Sequence, residues 1–199
     1  FKGMQEMNRA QEGYPIGYFW GLNMLGIFQN QNQIDNHKNS GGKVIQPYAK
    51  PGDIIFEDAN DDGNITQADN IYLGQPYPTT TIGLNLSLNY KGFDFYLVGN
   101  GSFGMQIAKC YRPADRKQYN YTTDILGRWT GEGTSNTIPR VTNGDEDNGN
   151  RLYMSQLYIE DADFFRISNV TLGYNFARLF KQKSVMSQLR AYVTVQNAL

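Results

Sequence analysis

A strict alternation of apolar and polar residues is the feature that most constrains how this chain can fold. In "TIGLNLSLNY", residues 81–90, every second residue from Ile82 to Tyr90 is apolar, and the residues between them are Gly, Asn or Ser. This two-residue period is typical of a β-strand with one apolar and one polar face. "FDFYLVGNGSFGM" continues the alternation after "KG", so the two segments predict a β-hairpin with a very short turn near Lys91 and Gly92.

Three other segments show the same period. The C-terminal segments "FRISNVTLGYNF" and "LRAYVTVQNAL" predict two more strands, and "YPIGYFWGLNMLGIF", residues 14–28, is a weaker case. In that N-terminal segment we expect one apolar face made of Ile16, Tyr18, Trp20, Leu22 and Met24. The composition agrees, because 14% aromatic residues and 21 Gly stand beside only 19% charged residues. The predicted fold class is all-β.

Long polar segments separate these strands. They cover residues 29–53, 57–80, 110–125 and 130–152 and are rich in Asn, Asp, Gly, Gln and Thr. Short turns at one end and long polar loops at the other are typical of a transmembrane barrel of the outer membrane. A secreted β-sandwich shows the same alternation along its strands, so periodicity leaves both architectures open.

Charge and hydropathy exclude two classes of protein. The formal net charge is −1 and the Lys and Arg residues form no block, so no nucleic-acid partner is expected. No run of 18 apolar residues occurs, so no transmembrane helix is predicted.

One segment has the spacing of a calcium-binding loop. "DANDDGNITQAD", residues 58–69, carries oxygen-bearing side chains at alternate positions and Gly63 at the sixth. Its twelfth residue is Asp, where an EF-hand has Glu, and the flanking residues do not predict paired helices. The alternative is a turn in which the side-chain oxygens accept hydrogen bonds from backbone N–H groups. The candidate ligands of a structural Ca²⁺ ion are Asp58, Asn60, Asp62, Asn64, Thr66 and Asp69.

Candidate catalytic residues are few. His37 is the only histidine, and no Ser or Cys motif accompanies it as in a catalytic triad. Glu160, Asp161 and Asp163 qualify as glycosidase carboxylates by residue type alone. The chain is therefore predicted not to be an enzyme.

Aromatic residues lie near the expected strand ends. In a barrel they would form the interfacial girdle or pack against loops, and in a sugar transporter they would stack on pyranose rings. The residues concerned are Tyr111, Tyr119, Tyr121, Trp129, Tyr153 and Tyr158.

Successive blocks of the sequence resemble one family in the same order. They are "GYPIGYFWGLNMLGIFQNQNQID", "PGDIIFEDANDDGNITQADNIYLGQPYPTTTIGLNLSLNYKGFDF", "RWTGEG", "IPR", "YIEDADFFRISNVTLGYNF" and "LRAYVTVQNAL". Each block is weak by itself, but the ordered set is hard to obtain by chance. Over nearly its whole length the chain resembles the C-terminal barrel region of SusC/RagA-type TonB-dependent outer-membrane transporters.

This resemblance implies a specific architecture and function. Residues 1–199 would be the C-terminal part of an antiparallel transmembrane β-barrel of about 22 strands, with long extracellular loops. The plug domain, the TonB box and the final strand are expected to lie outside the chain. Five or six strands cannot close such a barrel, so the chain is expected to be part of a larger protein.

The resemblance also implies a location and partners. The protein would lie in the bacterial outer membrane, receive energy through TonB, and import glycans or oligopeptides with a SusD/RagB-like surface lipoprotein. The alternative is a secreted, calcium-stabilised β-domain for carbohydrate binding or adhesion.

Overall fold

The computed structural model describes residues 7–109, 121–142, 149–151, 153–176 and 189–198. These residues form eleven strands and one short helix, which confirms the all-β prediction. The strands are β1 (Asn8–Arg9), β2 (Tyr18–Leu22), β3 (Met24–Ile27), β4 (Ile54–Phe56), β5 (Asn70–Gly74), β6 (Thr80–Tyr90), β7 (Phe93–Phe103), β8 (Gln106–Ala108), β9 (Ile159–Asp161), β10 (Phe164–Asn175) and β11 (Arg190–Ala198). The helix α1 spans Gln31–Asn36. Within these described ranges, no helix is long and apolar enough to cross a membrane.

The chain divides into two compact units. Unit 1 comprises Phe1–Pro76 and Gln106–Glu160, and unit 2 comprises Tyr77–Met105 and Asp161–Leu199. All the buried hydrophobic side chains among the described residues belong to unit 1. Their three clusters are Phe19, Leu73, Met154 and Ile159; Leu22, Ile54 and Phe56; and Phe28, Ile34 and Ala49.

The prediction of one alternating strand near the N-terminus is wrong. The segment forms two strands, because β2 pairs with β1 and β5 whereas β3 pairs with β4. Tyr18 and Phe19 are both buried although they point to opposite faces of β2. A Cβ at Gly21 would lie 2.6 Å from the carbonyl oxygen of Met154, so β2 is closely packed there. Both faces of this strand are covered, and its burial therefore does not follow a two-residue period.

The polar segments of unit 1 contain regular structure that the sequence did not predict. Helix α1 begins after Asn30, whose side-chain oxygen accepts a hydrogen bond from Gln33 N–H (3.1 Å). Strand β5 lies within residues 57–80 and follows a short 3₁₀ helix at Gln67–Asp69.

Unit 2 contains an antiparallel sheet in the order β11–β10–β7–β6. The predicted hairpin is confirmed: β6 and β7 pair from Thr80↔Phe103 to Tyr90↔Phe93. Lys91 (φ 48°) and Gly92 (φ 94°) both have positive φ at the turn, as a two-residue hairpin loop of type I′ requires. The four strands contain 9 to 12 residues each.

A β-bulge keeps the apolar residues of β10 on one face. The register shifts between Ile167 and Asn169, which leaves Ser168 as the additional residue. Ile167 therefore lies on the same face as Val170 and Leu172, despite the odd spacing. Without the bulge, one end of β10 would turn its apolar residues toward the polar face.

Candidate functional site

The side chains of residues 58–69 form a network of hydrogen bonds to the backbone of the same loop. Asp58 accepts from the N–H groups of Asp62 (3.1 Å) and Gly63 (2.7 Å). Asn60 Oδ1 accepts from Asp62 N–H (3.0 Å), and Asp62 Oδ1 accepts from Asn64 N–H (2.8 Å). Gly63 has φ 76°, a conformation that glycine adopts without steric cost.

Asp69 closes the loop from a buried position. Its Oδ2 accepts from Thr66 N–H (2.7 Å) and its Oδ1 from Ala59 N–H (3.1 Å), while Thr66 Oγ1 accepts from Ala68 N–H (3.1 Å). Asp69 and Thr66 thus form a capping box at the start of the 3₁₀ helix, and Asp69 is fully buried. The carboxylate of Asp69 joins the two ends of the loop.

A second segment, residues 39–43, holds the loop from outside. Lys43 Nζ donates to Asn64 Oδ1 (2.7 Å), and Ser40 N–H donates to Asp61 Oδ1 (2.8 Å). The Ser40 hydroxyl also donates to Asp61, and this bond, followed by that from the Ser40 backbone, lowers the pKa of Asp61. The pKa of Asp62 is lowered first by the hydrogen bond from Asn64 N–H and then by that from the Asn60 side chain.

The structure brings all six predicted calcium ligands into this one loop. Their oxygens are of the kind that Ca²⁺ prefers, but several of them already accept the backbone hydrogen bonds expected of the alternative turn. Within the described part of the chain, no group of three or more His, Cys, Asp and Glu side chains is arranged to hold a metal ion. Calcium binding by this loop stays a prediction.

A buried ion pair in unit 1 was not found from the sequence. Asp53, 1% exposed, accepts hydrogen bonds from Arg140 Nε (2.6 Å) and Asn150 Nδ2 (2.7 Å) on Oδ1 and from Lys50 N–H (2.8 Å) on Oδ2. Asn150 Oδ1 accepts from Ile54 N–H (2.8 Å), so the same group also holds β4. These hydrogen bonds join residues 50–54 to residues about 90 positions later in the chain. No local sequence pattern predicts such contacts.

The sheet of unit 2 has one apolar and one polar face. On the apolar face Leu86 lies opposite Leu97 and Leu88 opposite Phe95, and on the other face Ser87 lies opposite Tyr96. The apolar side chains remain exposed: Leu88 is 54%, Leu172 53% and Val193 71% accessible. The ring of Phe165 covers Gly99 and Gly101, where an added Cβ would lie within about 3 Å of its atoms.

Curated proteins related to the chain match between 78% and 95% of it. TonB-dependent receptor P3 of Formosa agariphila is 30% identical over 190 residues, which cover 95% of this chain and 18% of that protein. TonB-dependent receptor SusC of Bacteroides thetaiotaomicron is 31% identical over 157 residues, or 78% of this chain and 15% of SusC. No protein-family model matches the sequence.

Solved structures show the same fold. The RagAB peptide importer in its open-open state superposes with a TM-score of 0.61 at 16% identity, covering 98% of this chain and 20% of that chain. A second structure, of the RagAB peptide transporter, gives a TM-score of 0.59 at 17% identity and covers 94% of this chain and 19% of that chain.

The chain belongs to the SusC/RagA-type TonB-dependent receptors. It spans 15% to 19% of the length of the curated receptors that it matches. The names of these relatives describe receptors and importers, in agreement with the prediction that the chain is not an enzyme.

Three of the aromatic residues singled out from the sequence have contacts of the loop-packing kind in this receptor segment. Trp129 Nε1 donates to Gln29 Oε1 (3.1 Å), Tyr153 packs edge-on against Phe56, and Tyr158 hydroxyl donates to Arg151 O (2.9 Å), all within unit 1. Tyr121 is 38% exposed. The other two, Tyr111 and Tyr119, lie outside the described residues.

A different aromatic group lies at the short-turn end of the sheet of unit 2. The rings of Phe93 and Tyr174 lie 4.6 Å apart, and those of Tyr174 and Phe176 lie 4.7 Å apart. Tyr90, beside the turn, is 68% exposed, and Lys91 Nζ lies 5.1 Å from its ring. In the receptor this group has the composition of an interfacial girdle.

His37 and two of the candidate carboxylates make defined contacts in the receptor segment. Its Nε2 lies 3.1 Å from Phe56 O, and its ring packs edge-on against Phe28. Glu160 forms an ion pair with Lys109. Asp163 Oδ1 accepts from Gly104 N–H (2.7 Å) and Met105 N–H (3.1 Å) at the end of β7. His37 and Asp163 thus contact backbone groups of neighbouring segments, and Glu160 pairs with a side chain.

Proposed function

We propose that this chain is part of the barrel wall of an outer-membrane TonB-dependent nutrient transporter. The observation that carries the proposal is the sheet of unit 2, whose apolar face is exposed and whose opposite face is polar. In a lipid bilayer the apolar face would contact acyl chains and the polar face would line the interior. Strands of 9 to 12 residues have the length that a tilted transmembrane β-strand needs.

The order of the strands supports the same placement. Each of β6, β7, β10 and β11 is antiparallel to its neighbour, as in barrels that cross a membrane. The aromatic group at the β6–β7 turn would lie at the membrane–water interface beside the short turns. The edges of this sheet would be paired with further strands of the receptor, because unpaired edges are not viable in lipid.

Membership of the TonB-dependent receptor family supports a transport activity. The intact receptor would import oligomeric nutrients, either glycans or oligopeptides, using energy delivered by TonB. The RagAB relatives are described as a peptide importer, and SusC as a TonB-dependent receptor. A SusD/RagB-like surface lipoprotein would be the partner that captures the substrate.

Growth experiments with the native bacterium test this proposal. Deletion of the receptor gene should abolish growth on either a tryptic peptide mixture or a set of malto-oligosaccharides, with growth on free amino acids and glucose as the control. Deletion of TonB should give the same defect, and the full-chain receptor should fractionate with the outer membrane. Uptake that persists without TonB, or a full-chain receptor that stays monodisperse without detergent, would overturn the proposal.

A further inference from the structure

The turn between β6 and β7 holds a lysine in a backbone conformation that lysine rarely adopts. Lys91 has φ 48°, in the left-handed region where Gly, Asn and Asp are the preferred residues. The usual pair at a two-residue hairpin turn is Asn-Gly, whereas this turn is Lys91 and Gly92. The sequence therefore gives up a favourable turn residue and places an ammonium group at this point.

The turn is held against β10 before any partner binds. Gly92 O accepts a hydrogen bond from Asn175 N–H (2.7 Å). A Cβ at Gly92 would lie 3.2 Å from Cε2 and 3.5 Å from Cζ of Tyr174, so the hydroxyl-bearing end of this ring lies beside the turn. A preformed site loses less free energy on ordering when a ligand binds.

Three hydrogen-bond donors lie at this end of the apolar face. Tyr90, Phe93 and Tyr174 are paired across β6, β7 and β10, so their side chains point to the same face. Lys91 Nζ lies 5.1 Å from the centre of the Tyr90 ring, which places the ammonium group beside that face. The hydroxyls of Tyr90 and Tyr174 have no hydrogen-bond partner among the described residues. The donors are thus one ammonium group and two phenolic O–H groups.

The described residues place no carboxylate at the same end of the apolar face. In the described part of unit 2 the carboxylates are Asp94, Asp161 and Asp163. Asp94 lies on the polar face, where both of its oxygens accept from Arg190. The other two lie at the opposite end of the sheet, where Asp163 accepts from the backbone at the end of β7. The charge of Lys91 is therefore not balanced by a described carboxylate.

Apolar side chains continue from the aromatic row toward the middle of the sheet. The next row on the same face contains Leu88, Phe95, Leu172 and Val193. Leu88, Leu172 and Val193 are exposed, as are Tyr90 and Phe93 in the aromatic row. A ligand that binds the three donors can therefore lay an apolar chain along the sheet.

We infer that the turn at Lys91 binds the headgroup of an anionic phospholipid. Lys91 pairs with the phosphate, the hydroxyls of Tyr90 and Tyr174 donate to phosphate or ester oxygens, and the acyl chains lie along the row that contains Leu88 and Leu172. The inference rests on the proposed barrel wall, whose short turns would face the periplasm. It deepens that proposal by naming the lipid that the wall selects and the residue that selects it.

Other occupants fit this end of the sheet less well. Inorganic phosphate would meet the same donors but would leave the exposed rings of Tyr90 and Phe93 in water. A zwitterionic phospholipid covers the rings, but Lys91 repels its ammonium group. An anionic phospholipid satisfies the cation, the phenolic donors and the apolar row together.

Native mass spectrometry of the full-chain receptor in a neutral detergent tests the inference. The receptor is equilibrated with equal amounts of phosphatidylglycerol and phosphatidylcholine that have the same acyl chains, and the retained lipids are counted. The unaltered receptor should retain phosphatidylglycerol preferentially. Lys91→Gln should reduce that preference about fivefold, the effect of one cation at an anionic lipid surface, whereas Lys91→Arg should keep it.

Lys91→Asn separates lipid binding from a structural role of the turn. Asn adopts positive φ more readily than Lys, so this hairpin should unfold at the same temperature or higher. The preference for phosphatidylglycerol should nevertheless fall as it does in Lys91→Gln. Lys38→Gln is the matched control, because it removes the same charge from an exposed residue of unit 1 and should leave the preference unchanged.

Four results would overturn the inference. They are equal retention of both lipids by the unaltered receptor, an unchanged preference in Lys91→Asn, equal losses in Lys91→Gln and Lys38→Gln, and displacement of the lipid by inorganic phosphate beyond that caused by sodium chloride of equal ionic strength. Each of them leaves the proposed function intact if the receptor fractionates with the outer membrane and imports nutrient through TonB. A receptor that stays in the aqueous fraction would refute the proposed function itself.

Discussion

Asp94 and Arg190 form an ion pair that crosses a strand to which neither residue belongs. Asp94 lies on β7 and Arg190 on β11, with β10 between them. Arg190 Nε and Nη2 donate to the two carboxylate oxygens at 3.0 and 2.5 Å. The pair passes over Gly173 of β10, where an added Cβ would lie 2.5 Å from the carboxylate. The absence of a side chain at Gly173 is what allows the two charges to meet.

Replacing Gly173 should therefore disturb the polar face of the sheet. We expect Gly173→Val to lower the free energy of unfolding by about 1–3 kcal/mol, as in other overpacked sites. Gly83→Val is the matched control, since a Cβ at Gly83 meets no atom within 4 Å. Thermal unfolding in detergent, followed by circular dichroism, measures both. Equal effects of the two substitutions would show that the close approach at Gly173 has no energetic consequence.

The two faces of β6 should respond differently to a charge. Leu86→Arg places the charge on the apolar face and should destabilise the folded barrel by about 2–4 kcal/mol if it lies near the bilayer centre. Ser87→Arg places the same charge on the opposite face and should have little effect. Reversible folding of the full-chain receptor into lipid vesicles measures the difference. A larger cost for Ser87→Arg would reverse the assignment of the faces.

Removal of the buried carboxylate of Asp53 should destabilise unit 1. Asp53→Ala leaves the guanidinium of Arg140 without this partner and Asn150 Nδ2 without its acceptor, a loss typically of about 3–5 kcal/mol. Asp35→Ala on α1 removes an exposed carboxylate bonded to Gln31 Nε2 and is the control. Chemical denaturation monitored by Trp fluorescence compares them. Similar midpoints for the two variants would contradict a structural role for the buried pair.

Calcium should stabilise the receptor if residues 58–69 bind it. A ligand that binds only the folded state at one hundred times its dissociation constant adds about 2.7 kcal/mol to the free energy of unfolding. Millimolar CaCl2 should raise the melting temperature, and Asp58→Asn should remove the increase, whereas MgCl2 serves as the ionic control. A melting temperature independent of CaCl2 would favour the turn held by backbone hydrogen bonds alone.

The same loop should resist mild acid. The folded-state pKa values of Asp61 and Asp62 lie below the ordinary value of 3.8, so their stabilisation is fully present above about that pH. It is lost as the pH falls through the lowered values, because protonation removes the acceptors for Ser40 and Asn64. Carboxyl-carbon NMR titration should give an Asp61 midpoint below 3.8, and Ser40→Ala should raise it. An unchanged midpoint in that variant would exclude Ser40 as the cause.

The hairpin and the sheet faces could be predicted because their signals are local. A two-residue period assigns each side chain of β6 and β7 to a face, and "KG" marks the turn between them. The spacing of residues 58–69 likewise predicted a loop, and its side chains accept hydrogen bonds from the backbone of that loop. In both cases the interacting residues are close in the chain or follow one repeating pattern.

The prediction failed where packing came from distant segments. The strand expected from Ile16 to Met24 became β2 and β3 because different partners cover them. The sequence also left open whether Trp129 and Tyr153 form an interfacial girdle or pack against loops, and their contacts in unit 1 are with the distant Gln29 and Phe56. The sequence identifies a residue as aromatic, but it does not predict which distant segment packs against it.

By itself the sequence determined the all-β class, the β6–β7 hairpin and the alternation that divides its strands into two faces, because these follow from backbone geometry repeated every two residues. Only the tertiary structure decided which residues share a site. Asp53 with Arg140, Ile27 with Asn136, and Asp94 with Arg190 are separated by 87, 109 and 96 positions. Contacts over such separations depend on how the whole chain packs, and no local pattern encodes them.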